Sequence, residues 1–142
     1  MIINKFFHQK YKIVIIVVGI LGFMLVRGKY FNNRIEKEGV SSIGYVYDIN
    51  WGGNTSPFLY YTYYVNDEKH KNIKNSESFE NLDDRYVKKY YRIKYLKDNP
   101  KKSIMYLDKR ITDSLLINEF IESTKRSRKK EIETVRKEQL GL

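Results

Sequence analysis

Two histidines, one pair of adjacent aspartates and thirteen tyrosines are the residues of this chain best equipped for chemistry. Their spacing argues against most of it. His8 sits in the basic N-terminal stretch and His70 in a polar segment, KHKNIKNSES, where an exposed strand residue is expected. No group of His, Asp and Glu has metal-ligand spacing. Asp83-Asp84 beside Arg85 would offer a cation two carboxylates, but their setting is that of a turn cap. There is no G-x-S-x-G, no P-loop and no H-E-x-x-H. The chain has no cysteine, which excludes disulfides, thiolate metal sites, a Cys nucleophile and a lipid anchor carried on Cys. The expectation is a non-enzymatic protein with no catalytic residue, no cofactor, no metal and no small-molecule substrate.

Three other features could bind a partner. The run FLYYTYYVN, Phe58 to Asn66, could present tyrosines as a stacking platform for single-stranded nucleic acid. Tyr61, Tyr63, Tyr91 and Arg92 would form it, as aromatics do beside basic grooves in OB-type sheets. The competing reading is a small core filled by these rings with their hydroxyls at its edge. That reading is preferred, so nucleic acid is not an expected partner. Lys125, Arg126, Arg128, Lys129 and Lys130 form a basic cluster that would meet anionic headgroups or an acidic partner, or would be a solvated helix face. Trp51, in the Gly-rich loop Asn50 to Pro57, is either a partner-contact anchor or a cap on the domain.

These residues need elements to position them. The apolar run is Ile13, Val14, Ile15, Ile16, Val17, Val18, Gly19, Ile20, Leu21, Gly22, Phe23, Met24, Leu25 and Val26. At ~1.5 Å per residue it spans roughly 21 Å, short of a ~30 Å hydrocarbon core. Flanking Tyr11, Lys12 and Arg27 extend it, because basic side chains carry their charges outward to the interface. An uncleaved signal anchor, a cleaved signal peptide and a buried core helix compete here, and the anchor is preferred. Three basic residues on one flank (Lys5, Lys10, Lys12) against four on the other (Arg27, Lys29, Arg34, Lys37) do not fix its orientation. The short all-basic N-terminal tail leans toward a C-terminal domain outside the cytoplasm, on an inner (cytoplasmic) membrane. The net charge of +10 fits an anionic partner or surface and equally a solubility role.

Beyond a helical linker ending at Glu38, the chain reads as a mainly β domain. Ser41 to Ile49 is a first strand and Phe58 to Asn66 a central one. Asn66 to Lys69 is a hairpin turn, and Lys69 to Ser78 a polar strand near an edge. A turn or a short helical turn falls around Asn81 to Asp84. Tyr90 to Leu96 alternates, with Tyr91, Ile93 and Tyr95 on one side. A turn at Asp98-Asn99-Pro100 precedes a short strand, Ser103 to Leu107. From Thr112 the tail turns helical, with Asp113 as its cap and Leu115, Leu116, Phe120 and Ile121 as its apolar positions. The organisation expected is an anchor and linker over 1–38, a β domain over 39–110 and a basic helical tail over 111–142. The fold expected is a small curled antiparallel sheet or barrel of about five strands.

From Ser42 to Asp108 the chain resembles a widespread bacterial family of small membrane-anchored domains of unknown function. The residues that carry the resemblance are Gly44 and Val46, the strand Tyr60 to Val65, the pair Asn66-Asp67, then Val87, Tyr91, Ile93, Tyr95, Asn99 and Pro100, with Ser103 following. The family pattern has a glycine after the valine matched by Val87, and Lys88 stands there instead. The resemblance implies a small β-barrel or curled sheet behind a membrane helix and implies no activity. Together these readings point to an accessory module of an envelope protein complex. The partners expected are the lipid bilayer and another membrane or envelope protein. A toxin-neutralising immunity protein and a nucleic-acid or anionic-lipid binder are the alternatives.

Overall fold

The computed structural model describes residues 3–50, 57–75 and 83–141. A single helix, α1, runs from Ile3 to Glu38, about 54 Å at 1.5 Å per residue. It ends where Gly39 turns the chain: the Gly39 amide donates to the Ile35 carbonyl at 2.9 Å, and a Cβ at residue 39 would run into that same oxygen. Five strands follow: β1 (Val40–Asn50), β2 (Phe58–Val65), β3 (Glu68–Asn75), β4 (Lys89–Leu96) and β5 (Asn99–Ile111). The four-residue helix α2 (Asp83–Tyr86) precedes β4, and α3 (Ser114–Leu140) closes the chain. Asp113 caps α3, its carboxylate accepting from the Leu115 amide at 2.8 Å, which meets one of the unpaired donors of the first turn.

The strands form one antiparallel sheet in the order β3-β2-β1-β4-β5, curled into a half-barrel. Alternation explains its inner face. Val46, Leu59, Tyr61, Tyr63, Val65, Tyr91, Ile93 and Met105 make one buried cluster, drawn from alternate positions of β1, β2, β4 and β5. Register offsets at Val46/Asp48 in β1 and at Tyr91/Arg92 against β5 are the irregularities that bend strands and increase their twist. The edge strands do not pair by backbone, and side chains cross the gap instead. The Tyr61 hydroxyl lies 2.9 Å from Ser103 Oγ, the Tyr63 hydroxyl donates to the Pro100 carbonyl, and Asn72 of β3 donates to Ser103 Oγ at 2.9 Å. Burial pushes both phenols up from the usual tyrosine pKa, so each stays a neutral donor.

Several sequence expectations shift. β1 stands at the middle of the sheet, and β2 is interior beside it. The last strand covers Asn99–Ile111, well beyond Ser103 to Leu107. Its charged ends broke the apolar signal, but as an edge strand it tolerates exposed Lys101, Lys102 and Asp108. The preceding turn falls at Lys97-Asp98, since Leu96 already pairs with Asn99. His70, expected at the surface, is only 8% exposed. The hairpin register sets it opposite Tyr63, so it faces inward and stacks on that ring at 5.5 Å, while its neighbours Lys69 and Lys71 face out.

Asn66 and Asp67 both adopt positive φ, 53° and 62°, as a two-residue type I′ hairpin requires. Lys88 also does, with φ 57°, at the position where the resemblance expects glycine. Its amide donates to the Val46 carbonyl at 2.8 Å, so the left-handed turn ties α2's exit to the sheet. Lys88→Gly should therefore raise stability by about 1 kcal/mol, because the steric cost of a left-handed L-residue exceeds the extra chain entropy of glycine. A thermal melt of the full-length protein in detergent checks this, and an unchanged or lower midpoint would show that Lys88 bears no strain.

Candidate interaction surfaces

The residues expected to form the anchor lie along one helix, α1. From Val14 to Val26 every large apolar side chain of α1 is exposed, from 48% at Val17 to 75% at Leu25. Ile13 lies in the same helix, with its side chain outside the described residues. The stretch Val14–Glu38 is long and apolar enough to cross a membrane, with mean hydropathy 1.9 and no part of its apolar window buried in protein. A helix apolar all round needs an apolar surrounding.

The last turns of α1 belong to the domain. Ile35 is buried at 2% exposure. Arg34 bridges Glu38 at 2.9 Å and Asp98 of the β4–β5 turn at 2.8 Å. Lys94 donates to the Glu36 carbonyl at 2.8 Å. Sequence spacing alone does not show that α1 and the sheet are joined this way, because Lys94 and Asp98 lie far along the chain.

The basic cluster divides. Arg126 and Lys130 both reach Asp67 at the tip of the β2–β3 hairpin, at 2.8 and 3.3 Å. Lys125 pairs with Glu122 at 2.7 Å and Lys129 with Glu133 at 4.0 Å, both along α3. Arg128 has no ion pair among the described residues. Two of the five cations thus tie α3 to the sheet, and the others line its outer side. The Arg126 and Lys130 contacts hold the Asp67 carboxyl below its ordinary value of 3.8. A depressed folded-state pKa means that the contribution is complete above that value and is lost as pH falls through the lower folded one. Acidification below pH 3.8 should accordingly loosen α3 from the hairpin, and Asp67→Asn should remove this acid step from a pH series of α3 hydrogen exchange.

The tyrosines of the alternative stacking platform are not on the surface but in the core, as the preferred reading had it. Tyr61, Tyr63 and Tyr91 are 1%, 0% and 2% exposed, so no base could lie on them, and Arg92 faces the opposite side of β4 from Tyr91. The aromatic surface is the other face of the sheet. There Tyr45, Tyr64 and Tyr90 surround Phe120 of α3 at 6.1, 5.2 and 5.3 Å. Beside this contact lies an open groove of about 480 Å³, lined by Tyr45, Tyr47, Tyr64, Tyr90, Lys69 and Lys71 with Ile121 and Thr124 on the helix side. Burial pushes the Tyr47 and Tyr90 phenols up, so they present neutral hydroxyls beside two cations. Phe120 and Ile121 were legible as apolar positions of the tail helix, but the sheet face that receives them was not.

No protein-family model, curated protein or solved structure matches the chain.

Trp51 lies outside the described residues. Among the described residues no three of His, Cys, Asp and Glu come together as a metal site would require. His70 is packed in the core and Asp67 is engaged by two cations. What the surface offers is recognition: an apolar helix, an aromatic groove edged by lysines, and the projecting basic half of α3.

Proposed function

We propose that this chain is a non-enzymatic, single-pass protein of a bacterial inner (cytoplasmic) membrane that acts as an accessory interaction module of an envelope protein complex. The carrying observation is that the exposed apolar helix continues without a break into the domain and is locked there by Ile35, Arg34 and Lys94. A module held this way presents its outer sheet face at a fixed height and angle from the bilayer. The groove on that face fits a partner segment with apolar and carboxylate side chains. Tyrosine supplies contact area at low entropic cost, while Lys69 and Lys71 supply charge complementarity. In this reading the domain lies on the extracytoplasmic side, in keeping with the basic N-terminal tail.

The test is purification of the full-length protein from its own membrane in mild detergent, with partners read by mass spectrometry. A membrane or envelope protein should be retained in fixed stoichiometry. Tyr47→Ser with Lys71→Glu should lower its retention more than about tenfold, as expected of a residue pair at an interface hot spot, with the circular dichroism unchanged. Protein that remains in the membrane fraction yet purifies alone would overturn the complex. A partner retained equally by the variant would move the contact off this groove.

A further inference from the structure

We propose that the cleft between the membrane end of α1 and the start of β5 binds the phosphate of an anionic phospholipid headgroup through Arg27, Lys101 and Lys102. The inference rests on the reading of α1 as a membrane anchor. The cleft measures about 470 Å³, and its walls are Met24, Arg27 and Phe31 on the helix and Lys101, Lys102 and Ser103 on β5. Met24 belongs to the exposed apolar run, and Arg27 is the first charge after it. Docking of α1 on β4 and β5 brings two lysines from a distant part of the chain to that same boundary. A lipid phosphate occupies this level of a bilayer, just outside the hydrocarbon.

The charges there have no carboxylate partner among the described residues. Arg27 and Lys102 approach one ring, Phe31, at 5.7 and 5.3 Å, so two like charges converge on a single side chain. Among the described residues neither of them nor Lys101 enters an ion pair. The carboxylates close by are engaged elsewhere: Asp98 and Glu38 by Arg34, and Glu36 by Lys94. Contact with a ring face leaves the guanidinium and ammonium donors free for an anion. A phosphodiester fits, accepting from the guanidinium fork and from two ammonium groups at once. Its acyl chains would continue down the apolar face that begins at Met24. An acidic peptide would have to lie within the headgroup layer to reach the same three groups, which favours the lipid.

Full-length protein is reconstituted in phosphatidylcholine vesicles doped with phosphatidylglycerol, re-extracted in mild detergent, and its retained lipid weighed by mass spectrometry. Phosphatidylglycerol should be enriched over the bulk ratio. Each basic group near an anionic surface contributes on the order of fivefold, so Lys101→Gln with Lys102→Gln should weaken binding roughly 25-fold and return the ratio to bulk. Lys109→Gln with Arg110→Gln, exposed at the far end of β5, should leave the enrichment unchanged. Enrichment that survives the first pair, or is lost with the second, overturns the site. So does complete displacement by inorganic phosphate, which would mark a free-anion site. A carbonate wash of the vesicles separates the two ideas: protein released by it was never anchored, whereas protein retained without enrichment lacks only the headgroup site.

Discussion

An alanine at position 44 is expected to destabilise the domain by about 1–3 kcal/mol, the usual cost of overpacking a filled core. Gly44 lies in β1 between β2 and β4 and faces the inner side of the half-barrel. A Cβ there would stand 2.7 Å from Ile93 Cγ2, 3.1 Å from Met105 Cε and 3.4 Å from the Tyr61 ring. Ile93 has little room to move: it is 0% exposed, and its branched Cβ restricts χ1. In an open strand the same change would gain roughly 0.5–1 kcal/mol, because glycine is the costlier residue to order. The clash and the entropy therefore predict opposite signs, which makes the measurement decisive. Thermal unfolding of full-length protein in detergent, followed by near-ultraviolet dichroism of the buried tyrosines, should show a lower midpoint. A cycle with Ile93→Ala locates the cause. Alanine at 93 has no Cγ2, so the double variant should lose less than the sum of the two single losses. Additive losses would remove the clash as the explanation.

The close approach of Gly44 and Ile93 shows where the sequence could be read and where it could not. Period-2 alternation places Leu59, Tyr61, Tyr63 and Val65 on one face of β2 and Tyr91 and Ile93 on one face of β4, and these are core residues in the structure. The hairpin at Asn66-Asp67 and the cap at Asp113 follow from local turn and helix-end chemistry, which needs no knowledge of the rest of the chain. Legibility fails where a residue's fate depends on a distant partner. His70 reads as polar and exposed until the register sets it against Tyr63. Lys101 and Lys102 read as an unremarkable pair until α1 docks beside them. Asp67 reads as a turn residue and is also the anchor of two α3 cations. Charge in an edge strand hides the strand, which is why β5 looks half its length.

The same dependence on distant contacts gives α3 a single weak point. Phe120 is its only buried residue, and three tyrosine rings from β1, β2 and β4 receive it. Leu116 and Ile117 are only half-buried, and the other ties are exposed: the pairs from Arg126 and Lys130 to Asp67 and the Lys130 bond to the Asn66 carbonyl; exposed ion pairs add little. Phe→Ala in a core costs about 3–5 kcal/mol. At 8% exposure beside an open groove, the lower end applies. Phe120→Ala should thus release the first half of α3, residues 114–124, raising its amide exchange by about 100-fold, the equivalent of some 3 kcal/mol. Exchange in β1, β2 and β4 should stay protected, because the inner cluster contains no α3 residue. Phe120→Leu, which keeps most of the volume, should restore nearly all of the protection. Unchanged exchange in the alanine variant would mean that α3 is held by its hairpin contacts instead. Phe120 also walls both outer-face cavities, of about 250 and 480 Å³. If the groove is the contact surface, partner retention must fall with Phe120→Ala and return with Phe120→Leu, in step with the docking of the helix.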